Sequence, residues 1–266
     1  MRTVRVDGLD LAYRRNGRGI PLLFLHDAFG DSRAWTEESE RLADRADVVA
    51  WDAPGCGGSS DVPIGWTDED WADAIAGFVD ALGLDRPVIC GLSLGSVLAL
   101  LAVRDHPRLA RGLILAGPFA GWAGSLPATE VERRIRDLEA TVDVPAAEWA
   151  EEFLHSAFRA DASPERLASA RAALLEWRPQ TTAAMLEALG RLDLRSSLPR
   201  IDVPTLVVHG GADRRRPFTA AIAIAQAIPH ARLVELAGLG HDCCGEAEFI
   251  RAVERFLDGL GDEAAA

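Results

Sequence analysis

Short runs of apolar residues alternate with amphipathic stretches along most of this chain. The apolar runs have no polar side, which is typical of strands that are buried on both faces of a parallel sheet. The amphipathic stretches repeat with the period of an α-helix. Strands are predicted over 21–26, 47–52, 87–91, 111–117, 203–210 and 232–236, and helices over 31–44, 68–83, 93–107, about 217–228 and about 246–258. This order predicts an α/β fold with a mostly parallel central sheet and helices on both faces.

Two regions depart from the alternation. Near the N-terminus, apolar and polar residues alternate on both sides of Asp7-Gly8, which predicts a hairpin of half-buried strands. Between 118 and 198 the strands disappear, and helical segments are broken by prolines and carry Trp122, Trp149, Phe153, Phe158 and Trp177. We expect this segment to be a helical cap inserted between a first core part, 1–117, and a second core part, 199–266. The short Ala-rich tail is expected to fray.

Composition narrows the possible partners. The chain has 266 residues, of which 48% are hydrophobic, so it can bury a sizeable core. Its net charge of −13 disfavours binding to nucleic acid or to an anionic membrane. We find neither the apolar segment of a signal peptide nor a run long enough to span a membrane, and we therefore expect a cytoplasmic location. The four cysteines have no zinc-type or disulfide-framework spacing, and we expect neither a metal nor a cofactor.

The sequence GLSLG around Ser93 is the first candidate for chemistry. It lies between a predicted strand and a predicted buried helix, which is the context of a nucleophile elbow. In such an elbow the serine occupies a sharp turn above the sheet, and the flanking glycines let strand and helix pass close to it. The N-terminus of the helix also directs its free N–H groups at the site. The alternative is a structural turn in which the serine only caps the helix.

A serine nucleophile needs a base and an acid that orients the base. Asp213 and His241 each follow a predicted strand in a Gly-rich loop, and parallel strands end at the same edge of a sheet as the elbow. Asp242 is a weaker candidate for the acid, because neighbouring side chains rarely face each other. The remaining later histidines are better explained as structural residues: His106, His155, His209 and His230.

Five blocks in this order resemble the α/β-hydrolases with a helical cap, over nearly the full length of the chain: HDAFG, WDAPGCGGSSD, GLSLG, IDVPTLVVHGGAD and GLGHD. Within that family the sequence is most similar to the serine ester and lactone hydrolases, including the 3-oxoadipate enol-lactonase-like enzymes. The resemblance implies that Ser93 attacks a carbonyl carbon, that His241 takes and returns the proton, and that Asp213 fixes the imidazole.

The resemblance also implies an oxyanion hole made by the backbone N–H groups of Leu94 and Ala28. The sequence departs from the family at Asp27, where a glycine is usual, so we expect this carboxylate to point away or to be paired. His26 should organise the loop without acting as the base. Phe29 and Trp122 are the residues that we expect to line the substrate pocket.

The resulting hypothesis is a cofactor-free serine hydrolase that cleaves a small-molecule ester or lactone through an acyl-enzyme. Two alternatives stay open. One is a carbon–carbon bond hydrolase, or a ring-rearranging enzyme of natural-product metabolism, that uses the same triad, and the other is a non-catalytic ligand receptor. The run from Arg214 to Arg216 is typical of a solvated loop, although one of these arginines could bind an anionic substrate.

Overall fold

The computed structural model describes residues 1–141, 144–179, 181, 184 and 190–265. In these residues a single sheet contains eight strands in the order β1-β2-β4-β3-β5-β6-β7-β8. The strands are β1 (Arg2–Val6), β2 (Leu9–Gly17), β3 (Ile20–Leu25), β4 (Ala46–Trp51), β5 (Val88–Leu92), β6 (Gly112–Ala116), β7 (Thr205–Gly210) and β8 (Ala231–Leu236). The pairs β1–β2 and β2–β4 are antiparallel, and every other neighbouring pair is parallel. The predicted fold class is confirmed.

The N-terminal hairpin turns where the sequence predicted. Asp7 and Gly8 both have positive φ, at 44° and 89°. A two-residue turn with positive φ at both positions matches the right-handed twist of the strands that it joins.

The helices outside 118–198 lie close to their predicted positions, and the described residues of 118–198 form four helices for which the sequence predicted no bounds. They are α1 (Thr36–Leu42), α2 (Asp68–Ala81), α3 (Leu94–Asp105), α4 (Trp122–Ser125), α5 (Ala128–Thr141), α6 (Ala146–Ala157), α7 (Pro164–Leu175), α8 (Phe218–Ala227) and α9 (Ala247–Ala265). The helix predicted over 31–44 begins as a 3₁₀ turn, Ser32–Trp35, whose cap is Asp31. Helix α9 continues through the tail that was expected to fray. Alanine has the highest helix propensity, which explains the extension.

The core consists of two apolar layers, one on each face of the sheet. Successive side chains of a strand point to opposite faces, and β3 shows the consequence. Leu23 and Leu25 pack in the layer that contains α2, α3 and α8, whereas Leu22 and Phe24 pack in the layer that contains α9. All four side chains are fully buried. This explains why the strand reads as a continuous apolar run.

Helices α4 to α7 lie between β6 and β7 in the chain, within the segment predicted to be a cap. Part of that segment, 142–143, 180, 182–183 and 185–189, lies outside the described residues. Arg178, which follows α7, contacts the loop between β4 and α2. It donates to the Gly55 carbonyl at 2.8 Å and to the Asp61 carboxylate at 2.7 Å. Among the helices described, none is both long and apolar enough to cross a membrane.

Candidate active site

Ser93 occupies a strained turn between β5 and α3. Its backbone has φ 54° and ψ −111°, a conformation that non-glycine residues rarely adopt. Such strain persists only where the surrounding structure fixes it, and it is concentrated at functional sites. Here the Ser93 N–H donates to the Ala116 carbonyl at 2.8 Å, which ties the turn to the end of β6. The serine side chain makes no capping hydrogen bond to α3, contrary to the alternative of a simple helix cap.

The two glycines of the elbow are required by close backbone contacts. A Cβ added to Gly91 would lie 2.1 Å from the Gly95 carbonyl oxygen, and one added to Gly95 would lie 2.1 Å from the Leu25 carbonyl oxygen. No real Cβ tolerates such distances. The glycines therefore allow α3 to start directly beside β3 and β5, and its first N–H groups reach the site of Ser93.

His241 and Asp213 are hydrogen-bonded to each other, with 2.7 Å between Nδ1 and Oδ2. Both side chains are buried. The other Asp213 oxygen accepts the backbone N–H groups of Arg215 at 2.7 Å and Arg216 at 3.0 Å. Burial opposes the charge, but the His241 contact and these N–H donors outweigh it and hold the pKa of Asp213 below its ordinary value. The ionised carboxylate accepts Nδ1–H, which leaves Nε2 as an acceptor.

His209, considered structural from the sequence, also lies beside this carboxylate. Its Nε2 is 3.5 Å from Oδ2 of Asp213, and the ring is fully buried. Burial lowers the pKa of His209 more than Asp213 raises it, so the ring is neutral at pH 7. Its place at the end of β7, directly before the acid's loop, agrees with a structural role.

The loop after β3 is organised by His26. The His26 ring accepts the Ala53 N–H at Nε2, with 3.0 Å between the nitrogens, so Nδ1 carries the proton and donates to the Asp27 carbonyl at 2.7 Å. His26 is 2% exposed and contacts neither Asp213 nor Ser93 by a hydrogen bond in the described structure. The N–H groups of Ala28 and Leu94 make no hydrogen bond to another described residue, and both residues line the same cavity as Ser93. They are therefore available to an oxyanion.

Asp27 is folded back over the loop. A Cβ added to Gly30 would meet the Asp27 Oδ1 at 2.4 Å, so glycine at position 30 leaves room for the carboxylate. Burial raises the pKa of Asp27, and no hydrogen bond from a described residue offsets it. The carboxylate thus has no partner among the described residues, so of the two expectations for Asp27, pointing away or pairing, the pairing is not found. Asp27 borders two cavities, the large one that contains Ser93 and a smaller one.

The main cavity has a volume of about 560 Å³. Ser93, His241 and both predicted lining residues, Phe29 and Trp122, border it. The arginine run from Arg214 to Arg216, in which the sequence suggested a possible anion ligand, borders it as well. Further bordering residues come from the helical segment and were not predicted from the sequence: Phe119, Arg133, Arg134, Asp137, Trp149, Glu152, Phe153, Ser156 and Trp177. The spacing of Trp149, Phe153 and Ser156 along one face of α6 was the available signal, because residues three and four apart share a helix face.

The fold and this arrangement agree with a comparison to known families. Residues 22–255 match the model of the alpha/beta hydrolase family. The chain belongs to the alpha/beta hydrolase family. The match covers the elbow, the loop of Asp213 and the loop of His241.

Individual relatives of this α/β-hydrolase differ in length and chemistry. A pimeloyl-[acyl-carrier protein] methyl ester esterase from Aromatoleum aromaticum is 31% identical over 86% of this chain and 92% of its own. Polyketide synthase ThaQ from Burkholderia thailandensis is 32% identical over 92% of this chain, which spans only 12% of that much longer protein. A thermophilic esterase from Thermogutta terrifontis, solved with malate bound, has a TM-score of 0.86 and 28% identity, and the match covers 97% of this chain and 98% of the esterase.

The resemblance to enol-lactonases is also present at the level of the fold. The enol-lactonase from Burkholderia xenovorans LB400 has a TM-score of 0.83 and 24% identity, with complete coverage of both chains. At this identity the likeness shows a shared fold and does not indicate a shared substrate.

Proposed function

We propose that this α/β-hydrolase cleaves a small ester or lactone through an acyl-enzyme, with Ser93 as nucleophile, His241 as base and Asp213 as the orienting acid. One observation carries the proposal. A strained serine and a carboxylate-bound histidine border the same cavity, together with two backbone N–H groups that have no partner among the described residues. Nucleophile, base, orienting acid and oxyanion donors are the parts that acyl transfer needs.

The first half of the reaction follows from the tautomer of His241. Its Nδ1–H is engaged by Asp213, so Nε2 takes the proton as the Ser93 Oγ attacks the carbonyl carbon. The negative charge that develops on the carbonyl oxygen is stabilised by the N–H groups of Ala28 and Leu94. Losing one such donor typically costs ~10²–10³ in rate.

The second half regenerates the serine. His241 protonates the departing alkoxide, which leaves as the alcohol or, for a lactone, stays attached to the acyl group. Water then attacks the acyl-enzyme, His241 takes a proton from that water, and Ser93 leaves with a proton returned by His241. These steps need only the groups named above and water.

The relatives support this reaction class, since they include an esterase that acts on a methyl ester and a structurally characterised esterase. We further propose that 118–198 forms the cap that selects the substrate, because its helices supply much of the cavity wall. The cytoplasmic location and the absence of nucleic-acid partners stay predictions of the sequence.

The test combines turnover with active-site labelling. We expect the wild type to hydrolyse p-nitrophenyl butyrate with an initial burst, and a fluorophosphonate probe to label one residue, identified as Ser93 by peptide mass. Ser93→Ala should abolish both signals. His241→Gln should lower kcat by at least ~10³ and slow the labelling, because Ser93 loses its base.

The matched control is Ser39→Ala, a serine of α1 that donates to the Trp35 carbonyl and does not border the cavity, and this variant should keep labelling and turnover. Labelling that persists in Ser93→Ala would refute the assignment. Esters that stay intact while a vinylogous diketone is cleaved would favour the carbon–carbon hydrolase. Stoichiometric binding without any turnover would favour the receptor.

A further inference from the structure

The arginines after Asp213 do not all point into solvent. Arg214 is exposed and donates to the His155 carbonyl at 2.7 Å, as a solvated loop would predict. Arg215 is half-buried, and Arg216 is only 8% exposed. Both of these border the cavity that contains Ser93 and His241. Two charged side chains therefore turn inward in a protein whose net charge is −13.

Arg216 lacks a partner for its charge. Its guanidinium lies over the Phe119 ring, 4.3 Å from the centroid, and donates to the Arg215 carbonyl at 3.0 Å. Its Nε is buried and has no hydrogen-bond acceptor among the described residues. Burial, with repulsion from Arg134 and Arg215, lowers the pKa of Arg216 to about 9. A buried cation normally has an ionic partner, because desolvation without one is costly.

Arg215 has a similar environment. Its guanidinium lies 4.4 Å from the centroid of the Phe153 ring and donates to the Ser156 hydroxyl at 2.6 Å. Neither contact supplies negative charge. Asp27 is near enough to attract it, yet forms no ion pair with it in the described structure. Burial consequently lowers the pKa of Arg215 as well.

Two other arginines of the cavity differ, because acidic side chains already neutralise them. Arg133 is paired with Glu130 and Asp137, and Arg134 is paired with Glu130 at 2.8 Å. Arg214 also borders the cavity without an acidic partner, but it is exposed. Among the described arginines of the cavity, the positive charge that is both shielded from water and uncompensated is thus that of Arg215 and Arg216. Their backbone N–H groups also hold Asp213, so both side chains start directly beside the acid of the proposed triad.

We propose that Arg215 and Arg216 form an anion subsite that binds a carboxylate on the substrate, so that the preferred esters or lactones carry a negative charge. This inference rests on the proposed hydrolase function. A carboxylate offers two acceptor oxygens to two guanidiniums and restores the missing ion pair. The aromatic rings of Phe119 and Phe153 hold the guanidiniums in position, which lowers the entropy that binding must overcome.

The activity test compares two esters that differ only in charge. Mono-p-nitrophenyl adipate carries a carboxylate at the end of its acyl chain, and the methyl ester of that carboxylate is the neutral equivalent. We expect the wild type to favour the anion in kcat/KM by about tenfold or more. Arg216→Gln and Arg215→Gln should each remove most of this preference, a reduction of about tenfold, because a charge-assisted hydrogen bond to the carboxylate is lost. Either variant keeps the backbone N–H that holds Asp213.

Arg133→Gln is the matched control, since it removes the same charge from the same cavity at a paired arginine. The preference should stay within about threefold of the wild-type value in this variant. Equal losses on both esters in Arg215→Gln and Arg216→Gln would overturn the subsite, as would a wild type that prefers the neutral ester. If Arg216→Gln does not fold, Arg215→Gln and the binding measurement below still decide.

A binding measurement separates the subsite from catalysis. Adipate should raise the melting temperature of Ser93→Ala, and the double variant Ser93→Ala/Arg215→Gln should lose this shift at equal ionic strength. A larger shift with inorganic phosphate would reject a carboxylate as the ligand. Turnover of neutral esters without any anion preference would remove the subsite and leave the hydrolase intact. Adipate binding without any ester turnover would support the anion subsite and contradict the hydrolase function.

Discussion

At the scale of single residues, the site depends on which charges have partners. Asp213 is buried but receives His241 and two backbone N–H groups, so its ionised form is favoured. Asp27, which borders the same cavity as His241, receives no hydrogen bond from a described residue, and burial raises its pKa. The same residue type is therefore held charged at one position and destabilised by its charge at another.

Replacing Asp27 should stabilise the protein. A carboxyl group whose pKa is raised by folding costs stability when it is ionised, and this cost disappears below the ordinary carboxyl pKa, where both states are protonated. We expect Asp27→Asn to raise the melting temperature by ~2–4 °C at pH 8. The difference should shrink as the pH falls through the raised pKa of Asp27.

The measurement is thermal unfolding followed across pH, with Asp85→Asn as the exposed control. Hydrolysis of neutral esters by Asp27→Gly should stay within about tenfold of wild type, since the proposed oxyanion donor is a backbone N–H. A much larger loss would give Asp27 a direct part in the reaction.

At the scale of elements, Gly95 in the first turn of α3 determines where this helix lies. Gly95 brings the first turn against the Leu25 carbonyl of β3, and the helix then buries almost every side chain. In the sequence this burial is visible as a predicted helix that has almost no polar face. Because the backbones of α3 and β3 lie so close together, Ser93 is positioned at the edge of the sheet.

Gly95→Ala should therefore be strongly destabilising, although alanine is the better helix former. The added methyl would overlap the Leu25 carbonyl oxygen, and neither backbone can move without displacing the other. We expect a fall of at least ~10 °C in melting temperature, as measured by circular dichroism.

Gly259→Ala in α9 is the matched variant, because a Cβ there meets no atom within 4 Å. It should stabilise the protein by roughly 0.5–1 kcal/mol through helix propensity alone. Equal effects at the two positions would show that α3 does not depend on this backbone contact.

At the scale of the whole molecule, one buried ion cluster joins the helical segment to the core. Arg166 of α7 pairs with Glu38 of α1 at 3.1 Å and with Asp242, beside His241, at 2.6 Å. Glu38 is fully buried, and burial raises its pKa to about 7 despite Arg166. The cluster couples the helices over the cavity to the loop that carries the proposed base.

Arg166→Met should destabilise the molecule by about 3–5 kcal/mol, because two buried carboxylates would lose their counter-charge. The loss should be largest above pH 7, where Glu38 is ionised, and should decrease toward acid pH as the carboxylates take up protons. Chemical denaturation at pH 6 and pH 8 measures both effects. The control is Arg171→Met on the same helix, α7, which removes an exposed arginine that is paired with Glu151 of α6 and should change stability by less than ~0.5 kcal/mol.

The sequence by itself determined the fold and the proposed chemical groups of this α/β-hydrolase. Buried parallel strands must read as apolar runs, and the predicted run 47–52 agrees with β4 at Ala46–Trp51. The glycine spacing around Ser93 and the strand-end positions of Asp213 and His241 follow from the same local rules. These features are encoded within short segments, so they can be read without knowing which segments touch.

Only the tertiary structure decided the contents of the cavity and its charges. The arginine run could be solvated or inward-facing, and its burial depends on Phe119 and Phe153, which are distant in the chain. Phe29 and Trp122 were the expected lining residues, yet four further aromatic residues of 118–198 border the cavity: Phe119, Trp149, Phe153 and Trp177. The Arg166 cluster joins three distant segments. Contacts across the fold set burial and charge compensation, and no local pattern records which segments meet.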